Sequence, residues 1–315
     1  MSGGAPSLNL ALAAAITARL DPPFSPEALR RFEGASTEVV EITGQGHAAI
    51  LKLYADEPAW KLPKEAFVAR LYAEQDTVPT PRWLLTDESR RLLPRRFVVM
   101  TRLPGQSLRA RFGAPGDDAL FREMGELLLR LHATPMPRFG YLLAGDLATP
   151  FETNTAWMAA SFETKFREFR GWGGDAALGG RLEGFFGQRS AALAECATPV
   201  LCHNDFHPGN VLADQDPCGA WRISGLVDFE NAVAADPLFD LAKVLDYTAH
   251  ECAAGRAPLA EGYGALDRPG AHEALELYRV FHKLELLNWF KAVRADPLGP
   301  ATASLLADLA EIVGS

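Results

Sequence analysis

The run Cys202-His203-Asn204-Asp205-Phe206-His207-Pro208-Gly209-Asn210-Val211-Leu212, followed after a short hairpin by Ile223-Ser224-Gly225-Leu226-Val227-Asp228-Phe229-Glu230, constrains this chain most. Pro208 fixes its φ and lacks an N–H, and Gly209 follows it, so no helix can pass through. Asp205 and Asn210 therefore sit on a loop between apolar, strand-like segments, where both side chains can turn toward one cleft. Asp228 ends the next apolar strand and can approach the same place. Singly, each residue reads as a turn cap or a strand end. Together they place two carboxylates and an amide in one short stretch of fold.

The H-x-D-x-x-x-x-N element with a downstream D-F-E resembles the catalytic core of the aminoglycoside phosphotransferase and choline kinase-like group, relatives of protein kinases. The resemblance runs by motif order from Phe32 to Tyr247. It implies a Mg²⁺-dependent transfer of the γ-phosphate of ATP or GTP to a hydroxyl of a small molecule. Asp205 would orient or deprotonate that hydroxyl, while Asn210 and Asp228 would hold the metal. Such transfer needs an in-line acceptor oxygen and neutralised phosphate charge, and oxygen ligands suit a hard cation.

By the same resemblance, Lys52, late in a strand, is the phosphate cation, and Glu65 on the following helix is its partner, preferred over Glu74. Gly34 and Ser36, with Thr37, fall where the family covers the phosphates, although a hairpin turn explains the single glycine as well. Met100 to Leu103, including Arg102, resembles the hinge that takes the purine through backbone groups. Asp236-Pro237-Leu238-Phe239-Asp240-Leu241-Ala242 resembles the family's D-P-x-x-D-L-A segment, in which Asp240 would brace the catalytic loop and Asp236 would cap a helix. Seven residues separate Asp228 from Asp236, too few for a long activation segment, and Glu230 stands where protein kinases carry glycine. Asn204 departs from the glycine common in the small-molecule group. A protein substrate is disfavoured.

The expected fold is α+β, protein-kinase-like and bilobal: an N-terminal lobe over 1–103 with a small antiparallel sheet, and a mainly helical C-terminal lobe over 104–315. Alternating Val39, Val40 and Ile42, a turn at Thr43-Gly44-Gln45-Gly46, then Ala49 to Tyr54 predict two strands. Lys64 to Gln75 reads as a helix, and Trp83 to Leu85 and Phe97 to Met100 as strands. Leu120, Phe121, Met124, Leu127, Leu128 and Leu131 form a helical stripe. Gly171 to Gly180 reads as a loop, with later helices over Pro237 to His250, His272 to Arg294 and Ala301 to Val313.

A net charge of -9 argues against a nucleic-acid partner, because phosphate backbones are held by clustered Lys and Arg. It suits a cationic acceptor weakly at best. Leu8 to Leu20 is apolar, but no basic residue precedes it and it is too short to span a bilayer, so it reads as a helix and neither a signal peptide nor a membrane segment. Cys196, Cys202, Cys218 and Cys252 form no C-x-x-C pair, which fits reduced thiols in a cytoplasm. Zinc at Cys202, His203, His207 and Cys218 lacks any common ligand spacing. Asp214-Gln215-Asp216, beside Pro217 and Gly219, reads as a turn before it reads as a metal site. Trp157, Phe162, Phe166 and Phe169, like Trp289 and Phe290, read as helix core before a cage for a cation. No protein partner is implied, and the acceptor stays open. The competing classes are a nucleotide-binding pseudokinase-like regulator without phosphotransfer, and a carrier with an apolar pocket and no magnesium-dependent nucleotide binding.

Overall fold

A computed structural model describes residues 8–32, 37–55, 58–73, 75, 77–111, 113, 117–143, 146–265, 268–293 and 299–314. In chain order the elements are α1 (Leu10–Thr17), β1 (Ala28–Phe32), β2 (Glu38–Gly44), β3 (His47–Leu53), α2 (Lys61–Tyr72), β4 (Trp83–Asp87), β5 (Phe97–Thr101) and β6 (Gln106–Ser107). They continue with α3 (Asp117–His132), β7 (Gly140–Leu143), β8 (Asp146–Leu147), α4 (Asn154–Gly171), α5 (Ala176–Arg189), β9 (Val200–Cys202), β10 (Val211–Gln215) and β11 (Trp221–Leu226). The last are β12 (Val233–Ala235), α6 (Pro237–Glu251), α7 (Arg256–Tyr263), α8 (Ala271–Val293) and α9 (Pro300–Ile312).

One compact unit comprises Met1–Arg111, Leu143–Asp146 and Gly209–Asn231. Its main sheet is antiparallel throughout, in the order β1-β2-β3-β5-β4. The β2–β3 hairpin closes on Gln45 and Gly46, with φ of 54° and 77°, the pair of left-handed residues that a two-residue type I′ turn requires. Because side chains alternate along a strand, each face has its own core. Val40, Ile42, Leu51, Leu53, Phe97 and Val99 pack with Ala13 and Ile16 of α1. On the other face Tyr54, Val98 and Met100 pack with Leu62 of α2, and Ile50 and Trp83 lie against them. The β10–β11 hairpin belongs to this unit, with β6 paired to β10.

The other unit comprises Phe112–Leu142, Leu147–Pro208 and Ala232–Ser315. It is mainly helical, with short strands β9 and β7 paired antiparallel on either side of β12. The stripe Leu120, Phe121, Met124, Leu127, Leu128 and Leu131 is buried on α3, as its 3.6-residue spacing requires. Trp157, Phe162, Phe166 and Phe169 are core on α4.

Four local expectations are corrected. β1 adds a strand ahead of the two expected between Val39 and Tyr54. Helix α2 starts at Lys61, with Pro63 in its first turn, where a missing N–H costs nothing. Strand β4 runs past Leu85 to Asp87. The glycine-rich loop ends at Asp175, whose side chain accepts from Leu178 N at 2.7 Å and caps α5, so Ala176 to Gly180 is helical.

Candidate active site

Lys52 is the centre of the charge in the sheet-bearing unit. It sits on β3 on the face toward α2, and its Nζ donates to Glu65 Oε1 at 2.5 Å and to Asp228 Oδ1 at 2.9 Å, with Glu230 Oε2 at 3.7 Å. Tyr54, two residues further along the same face, donates its hydroxyl to Glu65 Oε2 at 2.7 Å. Lys61, the first residue of α2, donates to Glu230 Oε1 at 2.7 Å, and Thr37 Oγ1 reaches Glu230 Oε2 at 3.5 Å. Glu65 is thus aimed from both carboxylate oxygens, while the Asp228 side chain keeps 37% of its surface exposed.

Burial alone would depress the Lys52 ammonium, but the carboxylates of Glu65, Asp228 and Glu230 outweigh it and raise the pKa, so the lysine stays charged. Burial raises the Glu65 carboxyl, with Lys52 opposing. Burial also pushes the Tyr54 phenol up, and the Glu65 charge adds to that, so Tyr54 stays a donor. Lys64 behaves differently: burial lowers it to about 8 although Glu230 and Glu65 hold it up in part, and its ammonium lies 4.2 Å from the centre of the Trp60 ring.

Asp228 has a φ of 69°. That conformation costs a residue with a Cβ about 1 kcal/mol, so its persistence means the surrounding bonds hold it. Asn210 is tied to the same turn, since Val227 N donates to Asn210 O at 3.0 Å.

The front half of the loop belongs to the helical unit. Asp240 of α6, 1% exposed, accepts from His203 N at 2.6 Å through Oδ2 and from Asn204 N at 2.7 Å through Oδ1. Burial works against that charge, but His132, with Nε2 at 3.3 Å from Oδ2, His203 and the backbone donors win and lower the Asp240 pKa. His132 Nδ1 pairs in turn with the Tyr263 hydroxyl at 2.8 Å. Asp205, the next residue, has His207 Nε2 at 3.9 Å from Oδ2. Asp236 both caps α6, accepting from Leu238 N at 2.9 Å, and receives Tyr278 at 2.8 Å and Arg268.

Lys52, Glu65 and Asp228 are therefore brought together, and Asn210 is bonded to the turn that carries Asp228. Asp205 lies in the other unit. Gly34, Ser36 and the rival Glu74 lie outside the described residues. Met100 packs in the core face beside Tyr54 and Val98. The Arg102 guanidinium is taken by Glu41, Nε to Oε1 at 2.7 Å, and Arg102 and Leu103 lie past the end of β5. Neither side reading for a metal holds: Cys202 Sγ donates to Asp236 O, Cys218 is exposed, and Asp216 Oδ1 accepts from Cys218 N and Ala220 N at 2.9 Å each, closing a turn. The sequence reading missed Lys61, Tyr54, His132 and Lys243 and saw Glu230 only as a departure from glycine. Tyr54 meets Glu65 only 11 residues on, but the other partners lie 39 to 193 residues away, which no local pattern signals.

An antiparallel sheet carrying a buried lysine–glutamate pair, joined in one chain to a helical unit bearing the loop 203–208, defines a kinase-like α+β fold. Solved structures agree: aminoglycoside phosphotransferase APH(4)-Ia superposes with a TM-score of 0.76 at 16% identity, covering 96% of this chain and 97% of that one. The GDP and kanamycin complex of APH(2")-IIia gives 0.69 at 18% identity, covering 97% and 99%. The chain belongs to the Phosphotransferase enzyme family, which matches over residues 28–278. It is also 30% identical over 153 residues to an N-acetylmuramate/N-acetylglucosamine kinase of Caulobacter vibrioides (strain ATCC 19089 / CIP 103742 / CB 15), a match covering 45% of this chain and 39% of that protein. The aligned part thus spans about two-fifths of that relative. No helix among the described residues is long and apolar enough to cross a membrane.

Proposed function

We propose that this chain is a small-molecule kinase that transfers the γ-phosphate of ATP or GTP to an alcohol. The observation that carries the reading is Lys52, buried yet held charged between Glu65 at 2.5 Å and Asp228 at 2.9 Å. A buried ammonium anchored on one side and facing a half-exposed carboxylate is a preorganised cation for phosphate oxygens.

The purine ring would rest against the partly buried Ile50 and the edge of Met100, with the backbone of Met100 to Leu103 beside it. Gly34 and Ser36 would contribute backbone amides to the phosphates. The donors near Lys52 are all carboxylate oxygens, Glu65, Asp228 and Glu230, a hard set that fits Mg²⁺. Asp228, whose side chain is 37% exposed against 7% for Glu65 and 8% for Glu230, is the proposed ligand, with Asn210 as its proposed partner. Once bound, Mg²⁺ supplies neutralisation of charge on the phosphates. Asp205 accepts the proton of the acceptor hydroxyl as that oxygen bonds to the γ-phosphorus and the bond to the bridging oxygen breaks. Residues 1–103 would serve the nucleotide and 104–315 the catalytic loop and acceptor. The free cysteines suit a cytoplasmic setting.

For the acceptor, the relatives support one class. One is named a kinase of amino sugars, and solved relatives were captured with AMP-PNP and hygromycin B or with GDP and kanamycin. We place this acceptor among sugar and aminocyclitol alcohols. The test is thermal stabilisation by ATP and GTP with and without Mg²⁺, followed by turnover on an acceptor panel. A magnesium-dependent rise, with Asp205→Ala keeping the rise and losing turnover, is expected. No rise with either nucleotide at millimolar concentration would sink the reading.

A further inference from the structure

Asn204 occupies the left-handed region, with φ of 57°, directly before Asp205. The turn that this conformation makes sets the direction in which the next side chain leaves the backbone. Glycine would adopt it freely, whereas asparagine adopts it only with help from its surroundings.

One face of α6 supplies such help. Asp240 and Lys243 are three residues apart and so project side by side. Asp240 takes the N–H groups of His203 and Asn204. Lys243 takes the following peptide, the one that joins Asn204 to Asp205: its Nζ donates to Asn204 O at 2.6 Å and also to Asn204 Oδ1 at 3.1 Å. An acceptor and a donor of opposite charge thus bind the donors and acceptors of one residue, which is 7% exposed. Lys243 is itself held from α8, where it faces the carboxylate of Glu285 alongside His282.

We propose that Lys243 is a positioning residue for Asp205: its two hydrogen bonds fix Asn204 in the left-handed conformation that aims the adjacent carboxylate. The inference rests on the kinase reading only for its consequence in catalysis. The clamp itself is a statement about the loop. Lys243 touches neither nucleotide nor acceptor in this role, so its loss acts on kcat and spares the KM for nucleotide. Replacing Asn204 by glycine removes the need for the clamp.

The experiment compares the full-length wild type, K243M, K243R and the double variant N204G/K243M. Hydrogen exchange is followed in peptides containing residues 203–206, and turnover is measured with MgATP and N-acetylglucosamine. K243M is expected to exchange about tenfold faster at the Asn204 and Asp205 amides and to lose about tenfold in kcat at unchanged KM for MgATP. K243R should recover part of both, and N204G/K243M should return to within about threefold of wild type. Should K243M fail to fold, N204G/K243M is compared with N204G alone, and equal exchange in the two supports the clamp. Wild-type exchange in K243M would overturn it, as would a double variant as impaired as the single one. A wild type that transfers no phosphate but shows this exchange pattern would count against that acceptor and leave the clamp standing.

Discussion

Lys52 Nζ lies 2.5 Å from Glu65 Oε1, and both side chains are only 7% exposed. A buried pair of this kind is costly to break from one side, because the remaining charge keeps its desolvation penalty without its partner. Lys52→Met is expected to destabilise the fold by about 3 kcal/mol in urea unfolding at neutral pH. The double variant with Glu65→Gln should recover part of that loss, since Glu230 keeps Lys61 and the Asp228 side chain, 37% exposed, keeps its contact with water. Both variants should lose the stabilisation by MgATP. A single variant as stable as wild type would show that the pair contributes nothing to folding.

Lys64 carries a pH signature of its own. Its folded pKa of about 8 lies below the ordinary lysine value of 10.5. Between those two values the unfolded chain holds a proton that the folded chain has released, so this group makes stability rise with pH. Below pH 8 the penalty is constant and full. Lys64→Met, which keeps a chain of similar length over Trp60, should stabilise the protein at pH 7 by up to about 3 kcal/mol. It should also flatten the rise between pH 8 and 10.5 relative to wild type. Parallel stability curves for the two proteins over that range would remove Lys64 as the cause.

Glu285 has the opposite sign. Burial would raise its carboxyl, but His282, Lys243 and Lys165 win and hold it at about 2, against an ordinary value of 4.5. A depressed carboxyl contributes stability that is present above 4.5 and lost as the pH falls toward 2. Its side chain is 27% exposed, which discounts the effect to about 2 kcal/mol. Glu285→Gln should shift acid unfolding upward and make the limb between pH 4.5 and 2 shallower. An unchanged acid limb would show that the cationic neighbours do not stabilise the carboxylate in solution.

The sequence disclosed the residues whose chemistry dictates their spacing. Asp205, Asn210 and Asp228 stand out because a proline-glycine loop between apolar runs carries the first two and the next apolar strand ends at the third, a spacing that resembles a kinase core. Strands β2, β3 and β5 were legible as apolar runs, because a sheet with a core on each face buries consecutive residues, as at Phe97 to Met100 of β5. β1 was not: four of its five residues are exposed, so Ala28–Phe32 shows no alternation, as suits an edge strand rich in arginine. α5 was hidden by glycines that lower helix propensity, and only the cap at Asp175 reveals it. Lys61 with Glu230, and Lys243 with Asn204, are pairs made by tertiary approach. Nothing near Lys243 in the chain distinguishes it from a solvated lysine on a helix.

The contact between α3 and α7 turns on two glycines, and alanine should discriminate them from a third. A Cβ on Gly125 would lie 2.1 Å from Leu259 O, and one on Gly262 would lie 2.0 Å from Arg122 O. Backbone atoms cannot swing aside as side chains do, so the two helices would have to separate. Gly180, exposed on α5, has nothing within 4 Å of its added Cβ. Alanine is the better helix former at all three positions, so propensity alone predicts three gains of about 0.5 to 1 kcal/mol. Steric overlap reverses the sign at two of them: Gly125→Ala and Gly262→Ala should each lose about 3 kcal/mol. Gly180→Ala should gain about 0.5 kcal/mol. Urea midpoints at a constant m value decide this, and a stabilised Gly125→Ala would mean that α3 and α7 do not approach as closely in solution.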